Sequence, residues 1–441
     1  MYLFLTFLVL LCLTILSYNM FNREILSPSF LTCLLFFSVS VIALINNSYW
    51  NVVYHGLFFV SVVGSIVFMI LGEVFGKSIA TSISYKNSKK KFFQKPIYSI
   101  QDISRFKTLL LILFCIIINI WSVQQFISNV RYVGYSGENL MNYARISNFN
   151  EDIQTNIPLA ISKFAIIGLG YFSLFRTVPM ISNNQFWKSK NKFFYILSIM
   201  SLLLQEVLST GRVGFIKFFQ ITLFLTIFSR RFLIHEKIKF FGKFLKYVSM
   251  LGISFFSFFF LLGYLRNPEF LSDIWRSFSI YFASPFPALN EWLKSYEVSN
   301  AFGLETFKGL RNLLVRFDII ANKPLDFQPF ITFPNGHRTN IYSALMHYIK
   351  DFNIAGCYIV YFFQGLFFSV FFYYILDKRK YNLWVLVFSY FAYDIVLQIA
   401  AAGFLASYLG VTHSFVLLFI ILSYIFLNPK QTYSGITIKK I

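Results

Sequence analysis

Leu109-Leu110-Leu111-Ile112-Leu113-Phe114-Cys115-Ile116-Ile117-Ile118 is a run of ten residues with no charge and no turn former. Taken out to 107–126, it reaches the roughly 20 mostly apolar residues that one helix needs to cross a hydrocarbon core. Ten more stretches read the same way: 2–19, 29–46, 53–74, 157–177, 193–209, 213–229, 247–265, 352–375, 384–403 and 408–427. The 193–209 and 213–229 pair is short and joined by a tight turn, Ser209-Thr210-Gly211-Arg212. The expectation is an all-α integral membrane protein with about 11 (10–12) transmembrane helices. Composition agrees. Of 441 residues 57% are hydrophobic and 13% charged, with a mean hydropathy of +0.63. A soluble domain carries about twice that charged fraction. Length alone would suggest two or three soluble domains, but the apolar runs overrule it.

One long stretch breaks the pattern. Residues 266–351 hold nine of the 39 Lys/Arg and eight of the 18 Asp/Glu. The chain therefore divides into a bundle at 1–265, a hydrophilic loop at 266–351, and further spans with a tail at 352–441. Eleven spans sort the loops into two sets. One set (20–28, 75–107, 176–192, 230–246, 376–383 and the tail from 428) carries 25 Lys/Arg. The other carries 12, nine of them in the long loop, and long loops count little in orienting a chain. The first set is read as cytoplasmic, which places 266–351 outside. Runs such as Lys89-Lys90-Lys91 and Arg230-Arg231 then act as topology signals facing an anionic leaflet. The net charge of +21 is thus accounted for without nucleic acid. The first run, 2–18, lacks a basic start and an Ala-x-Ala site and reads as a retained span. Cys12, Cys33, Cys115 and Cys357 all fall in apolar runs, with no spacing for a metal or a disulfide framework.

Inside the loop, Phe270, Ile274, Phe278 and Tyr281 mark an amphipathic helix over 269–283, ended by Pro285 and Pro287. Further helices fit 288–296 and 306–320. The prolines at 324, 329 and 334 keep 323–334 extended, and Asn335-Gly336 makes a turn. A last helix begins near Asn340 and runs toward the next span.

Charges within or beside spans mark function by default. Lys163, Arg212, Lys217 and Arg266 all fall near the outer end of their spans, opposed by Glu206. Such a basic cluster suits phosphate or pyrophosphate oxygens. The plainer reading pairs Glu206 with Lys217 and lets Lys163 and Arg266 snorkel to headgroups. Asp394, mid-span, reads as a bridge between helices.

Three features resemble the O-antigen polymerases, the Wzy-type oligosaccharide repeat-unit polymerases of bacterial envelopes. One is Leu208-Ser209-Thr210-Gly211-Arg212-Val213-Gly214-Phe215, similar to that family's small-residue-Gly-Arg turn. Another is Asn340-Ile341-Tyr342-Ser343-Ala344-Leu345 followed by Tyr348 to Gly356, similar to its Asn-x-Tyr segment and Asp-Phe-Gly-x-x-Gly span start. The third is the layout, with one large periplasmic loop late in the chain. Asn353 stands where the family has Gly. The motifs cover about twenty residues, while the layout covers nearly the whole chain.

The resemblance implies a GT-C-like polymerase/ligase architecture in the bacterial inner membrane. It implies a metal-independent glycosyltransferase, without cofactor, that moves a glycan from undecaprenyl pyrophosphate onto another lipid-linked repeat unit. A chain-length regulator would be its partner. Arg212, Arg266 and Arg338, then Arg276, Lys217 and Lys163, would hold the pyrophosphate, with Asn340 and Tyr342 at the substrate. His337, Asp351 and Glu291 are the candidate bases, and His347, on the same helix face as Asp351, is its candidate partner. The ligase that transfers glycan to lipid A core shares layout and donor. A repeat-unit flippase would call for internal repeats and short loops, which the sequence lacks.

Overall fold

The structure is a computed structural model that describes residues 1–87, 102–135, 137, 140–150, 153, 156–211, 213–233, 242, 245–266, 273–295, 302–320 and 328–427. Helices α1 (Tyr2–Met20) and α2 (Pro28–Ile45) pack together, and a single turn, α3 (Asn47–Trp50), leads to α4 (Gly56–Asn87). Then come α5 (Arg105–Tyr132), the short α6 (Leu140–Phe149), α7 (Ile157–Ser182), α8 (Lys192–Leu208), α9 (Val213–Leu233) and α10 (Leu245–Arg266). The hydrophilic stretch holds α11 (Ile274–Ala283), α12 (Pro285–Leu293) and α13 (Lys308–Arg316). It also holds an antiparallel hairpin of β1 (Ile331–Thr332) and β2 (Arg338–Thr339). The chain closes with α14 (Ala344–Lys378), α15 (Leu383–Phe391), α16 (Tyr393–Leu397) and α17 (Val411–Leu427).

Seven of these helices, α1, α2, α4, α5, α7, α9 and α14, are long and apolar enough to cross a membrane, as expected of an all-α membrane protein. The apolar stretches Leu245–Leu261 within α10, Leu383–Leu397 and Val411–Leu427 are shorter. Each of the eleven apolar runs is helical, with three differences from expectation. The run at 384–403 breaks at Ala392 and leaves the helix after Leu397. The last loop helix does not stand apart: it joins the following span as α14, with a kink at Asn353 (φ 60°, ψ −174°). Pro285 starts α12 as well as ending the previous helix, because its fixed φ and missing N–H suit a first turn. The expected helix ends at 269–272 and 296, the extended segment 323–327, Lys89-Lys90-Lys91 and the tail from 428 lie outside the described residues.

The core is the pair α4–α14, which run in van der Waals contact because glycines face the partner backbone. A Cβ on Gly72 would lie 2.1 Å from the Phe362 carbonyl oxygen, and one on Gly365 2.3 Å from that of Met69. Small residues of this kind are how helices associate where apolar burial gives no drive. Helices α7, α8, α9 and α17 form a second group beside them. The start of α2 is held by a carboxylate that the sequence reading passed over. Glu73, fully buried in α4, accepts hydrogen bonds from the Ser29 N–H (2.6 Å), the Ser27 hydroxyl (2.7 Å) and the Tyr373 hydroxyl (2.9 Å). It satisfies an orphan N–H of the helix start from another helix.

Candidate active site at the loop–bundle junction

The hairpin is a positioning device. Ile331 pairs with Thr339 and Thr332 with Arg338. The Phe333 N–H donates to the His337 carbonyl (2.7 Å), and the Gly336 N–H donates to that of Phe333 (2.8 Å). Gly336 closes the turn at φ +80°, where a side chain would be strained. Asn335 locks the turn twice. Its Oδ1 accepts from the His337 N–H (3.0 Å), and its Nδ2 donates to the Tyr49 carbonyl (2.7 Å). Phe333 packs beside the fully buried Trp50, with ring centroids 6.3 Å apart, and the Thr339 hydroxyl meets that of Ser284 at 3.2 Å. His337 is thereby held over α3.

Helix α11 brings the cation. Asp273 caps it, its Oδ1 accepting from the Arg276 N–H at 2.8 Å. From that first turn the Arg276 Nε donates to His337 Nε2 at 3.0 Å, and its guanidinium lies 5.4 Å from the Tyr49 ring centre. The Tyr49 hydroxyl meets the same imidazole nitrogen, and the two rings stand edge to face at 5.2 Å. A guanidinium can only donate. Nε2, at the shorter distance, is therefore an acceptor, while the Arg276 Nη2 lies 3.5 Å from Nδ1. Burial and then the Arg276 charge push His337 below its ordinary 6.5, so it is neutral at neutral pH. Burial likewise raises the Tyr49 phenol, the Arg276 charge opposing and the Asp273 charge adding. Arg276 is exposed and His337 half-exposed, so the pair is open to an anion and to a hydroxyl group.

The remaining expected residues are distributed unevenly. Arg338 points outward on β2 next to buried Thr339. Asn340 follows it, half-buried. Tyr342 is buried, its hydroxyl donating to the Pro329 carbonyl at 3.0 Å, and burial pushes it up to about 12. Glu291 accepts from Lys294 (2.6 Å) and from Asn290 (3.2 Å). Asp351 is already committed. Its carboxylate accepts the Glu305 N–H (3.0 and 3.2 Å) and the Thr306 N–H (2.6 Å), tying the 302–307 turn to α14. His347 turns to Glu305 (3.8 Å) rather than to Asp351, and Lys350 joins it at 3.0 Å. Burial alone would raise Glu305, but hydrogen bonds from His347 and Gln328 and the charges of His347 and Lys350 hold it at about 2.

Lys163 is half-buried in the second turn of α7, with no polar contact to Lys217 among the described residues. Lys217 is nearly enclosed. It lies 3.3 Å from His413 Nδ1 and 4.0 Å from the Tyr393 ring centre, and among the described residues it makes no direct ion pair with Glu206. Arg212 lies outside the described residues, as does the side chain of Arg266 at the end of α10. Of the eleven expected site residues, the structure joins two, Arg276 and His337, and adds Tyr49. That tyrosine comes from a four-residue helix 288 positions away, and nothing in its local sequence marks it. No protein-family model, no curated protein and no solved structure matches this chain.

Proposed function

We propose that the chain is a repeat-unit polymerase that joins undecaprenyl-pyrophosphate-linked oligosaccharides at the periplasmic face of a bacterial inner membrane. The observation that carries this reading is the Arg276–His337 pair, a cation and a neutral base in contact where the hydrophilic stretch meets the bundle. The acceptor hydroxyl oxygen attacks the anomeric carbon of the donor sugar. The bond from that carbon to the pyrophosphate oxygen breaks, and its electron pair leaves with the pyrophosphate. His337 Nε2 takes the hydroxyl proton. In the resting site the Nε2 lone pair is occupied by Arg276. An incoming pyrophosphate draws the guanidinium to itself by charge-assisted hydrogen bonds, and the acceptor hydroxyl takes the place of the Tyr49 hydroxyl at the same nitrogen. Arg338, Arg212, Arg266, Lys217 and Lys163 are the further cations of this reading, and a GT-C-like bundle is its scaffold.

The test is complementation of a strain lacking the chain. Arg276→Ala and His337→Ala should reach the membrane at wild-type level yet give lipid A capped with one repeat unit. Long-chain ladders surviving both changes would sink the proposal. If the null strain lacks all glycan on lipid A, the reaction is ligation to the core.

A further inference from the structure

Below the loop a second constellation lies inside the bundle, away from any group used above except Lys217. It gathers Glu206 from α8, Lys217 from α9, Tyr390 and Tyr393 at the α15–α16 break, Asp394 from α16 and His413 from α17. The Lys217 ammonium is 3.3 Å from His413 Nδ1, the Tyr390 hydroxyl is 3.0 Å from the same nitrogen, and the Tyr393 hydroxyl is 3.2 Å from Nε2. An ammonium can only donate, so Nδ1 accepts and the neutral imidazole holds its proton on Nε2, toward Tyr393. Tyr348 from α14 lies near Asp394, and Tyr171 from α7 lies near Glu206.

Asp394 is the anomaly. It is 1% exposed, and neither of its oxygens has a hydrogen-bond partner. The Tyr393 and Tyr408 hydroxyls stand next to it but without hydrogen-bond geometry, that of Tyr393 meeting His413 and that of Tyr408 the Phe391 carbonyl. Gly403 closes one side, since a Cβ there would lie 1.8 Å from Asp394 Oδ1. Two carboxylates face one ammonium, and among the described residues neither makes a direct ion pair with it. A buried carboxylate without donors is strongly disfavoured in its charged form. The charge count and the missing donors have one common remedy, which is one more proton.

We propose that this cluster is a membrane-embedded proton-binding site, in which Asp394 is carried as the neutral acid and exchanges its proton through the non-helical 398–410 segment. The adjoining ammonium of Lys217 disfavours a metal cation in that place. Ionising Asp394 requires water, and the 398–410 segment is the cover that must admit it. That segment is also bonded to the hydrophilic stretch, the Gly309 N–H of α13 donating to the Ala406 carbonyl at 3.0 Å. Loss of the proton therefore loosens the seat of α13.

The inference does not depend on the polymerase reading, and its test uses no activity. Infrared spectra of the full-length protein in nanodiscs should show an un-ionised carboxyl stretch at neutral pH that shifts in heavy water. The band should vanish in Asp394→Asn and persist in Glu206→Gln. In Lys217→Met, which removes the nearby cation, its titration midpoint should move up. Amide exchange in 398–410 should rise several-fold at alkaline pH in the wild type only, not in Asp394→Asn. A wild type without the band, a band that survives Asp394→Asn, or a midpoint moved down by Lys217→Met would overturn the proposal. So would loss of the band when sodium replaces choline at fixed pH, which would make it a sodium site.

Discussion

Asn353 holds φ 60° and ψ −174°, a region that glycine alone enters without strain. Its side chain explains how an asparagine tolerates this. Oδ1 accepts the Ala355 N–H (2.9 Å) and the Gly356 N–H (3.2 Å), capping the second half of α14. Asn353→Ala should lower stability by about 1 kcal/mol, the worth of a lost cap. Asn353→Gly trades the cap for relief of strain and should match or exceed the wild type. Thermal unfolding of the purified protein decides this, and an alanine variant as stable as wild type would contradict the kink. At His337 the sign is also fixed. Its folded-state value lies below the ordinary 6.5 because of burial and Arg276, so protonation is disfavoured in the fold and its stabilising contribution falls as pH drops below about 6.5. Arg276→Gln removes one of the two causes. The histidine's NMR titration midpoint should rise, and the acid limb of any activity profile should rise with it. Both residue types were legible in the sequence as a cation and a base in the loop. Their contact was not, because it depends on a hairpin pinned by Asn335 to Tyr49, residues 286 positions apart.

Among the elements, the apolar runs translated into helices almost one for one, because length and hydropathy are local properties. The breaks did not. The run at 384–403 has no proline, yet its helix is interrupted at Ala392 and given up after Leu397. There the buried polar cluster around Asp394 takes precedence over helical continuity. Pairing between helices was equally hidden. Gly365 reads as a weak point of a span until α4 is seen against it. Gly365→Leu must then displace the Met69 backbone and should destabilise by at least about 1–3 kcal/mol, the usual range for overpacking. Gly252→Leu, where a Cβ meets nothing within 4 Å, is the control and should be neutral or better. Equal thermal midpoints for the two variants would mean that the α4–α14 contact is not what holds the core.

For the whole molecule, contacts between loops constrain the topology more tightly than hydropathy does. If only the seven long helices crossed, five crossings would separate Glu24 from Arg231, and one would separate Gly309 from Ala406. An odd number puts the partners on opposite faces. Yet the Arg231 guanidinium donates to both Glu24 oxygens at 2.5 and 2.7 Å, and the Gly309 N–H meets the Ala406 carbonyl at 3.0 Å. Each contact needs one more crossing, α8 for the first and the α15–α16 stretch for the second. With α8 crossing, the Asn335–Tyr49 contact requires α10 to cross. With α15–α16 crossing, the bond from Lys107 to the Phe426 carbonyl (3.2 Å) requires α17. Eleven crossings, the number expected from the apolar runs, would satisfy all four contacts, and the Lys/Arg imbalance between loop sets makes the face of Glu24 and Arg231 the expected cytoplasmic one. Single cysteines at exposed sites, in a Cys12→Ser background, test both steps in intact cells. Arg316→Cys and Leu409→Cys should react with an impermeant maleimide from outside, and Lys190→Cys only after the membrane is breached. Seven crossings instead would shield one of the first two, and an inverted chain would expose Lys190→Cys alone.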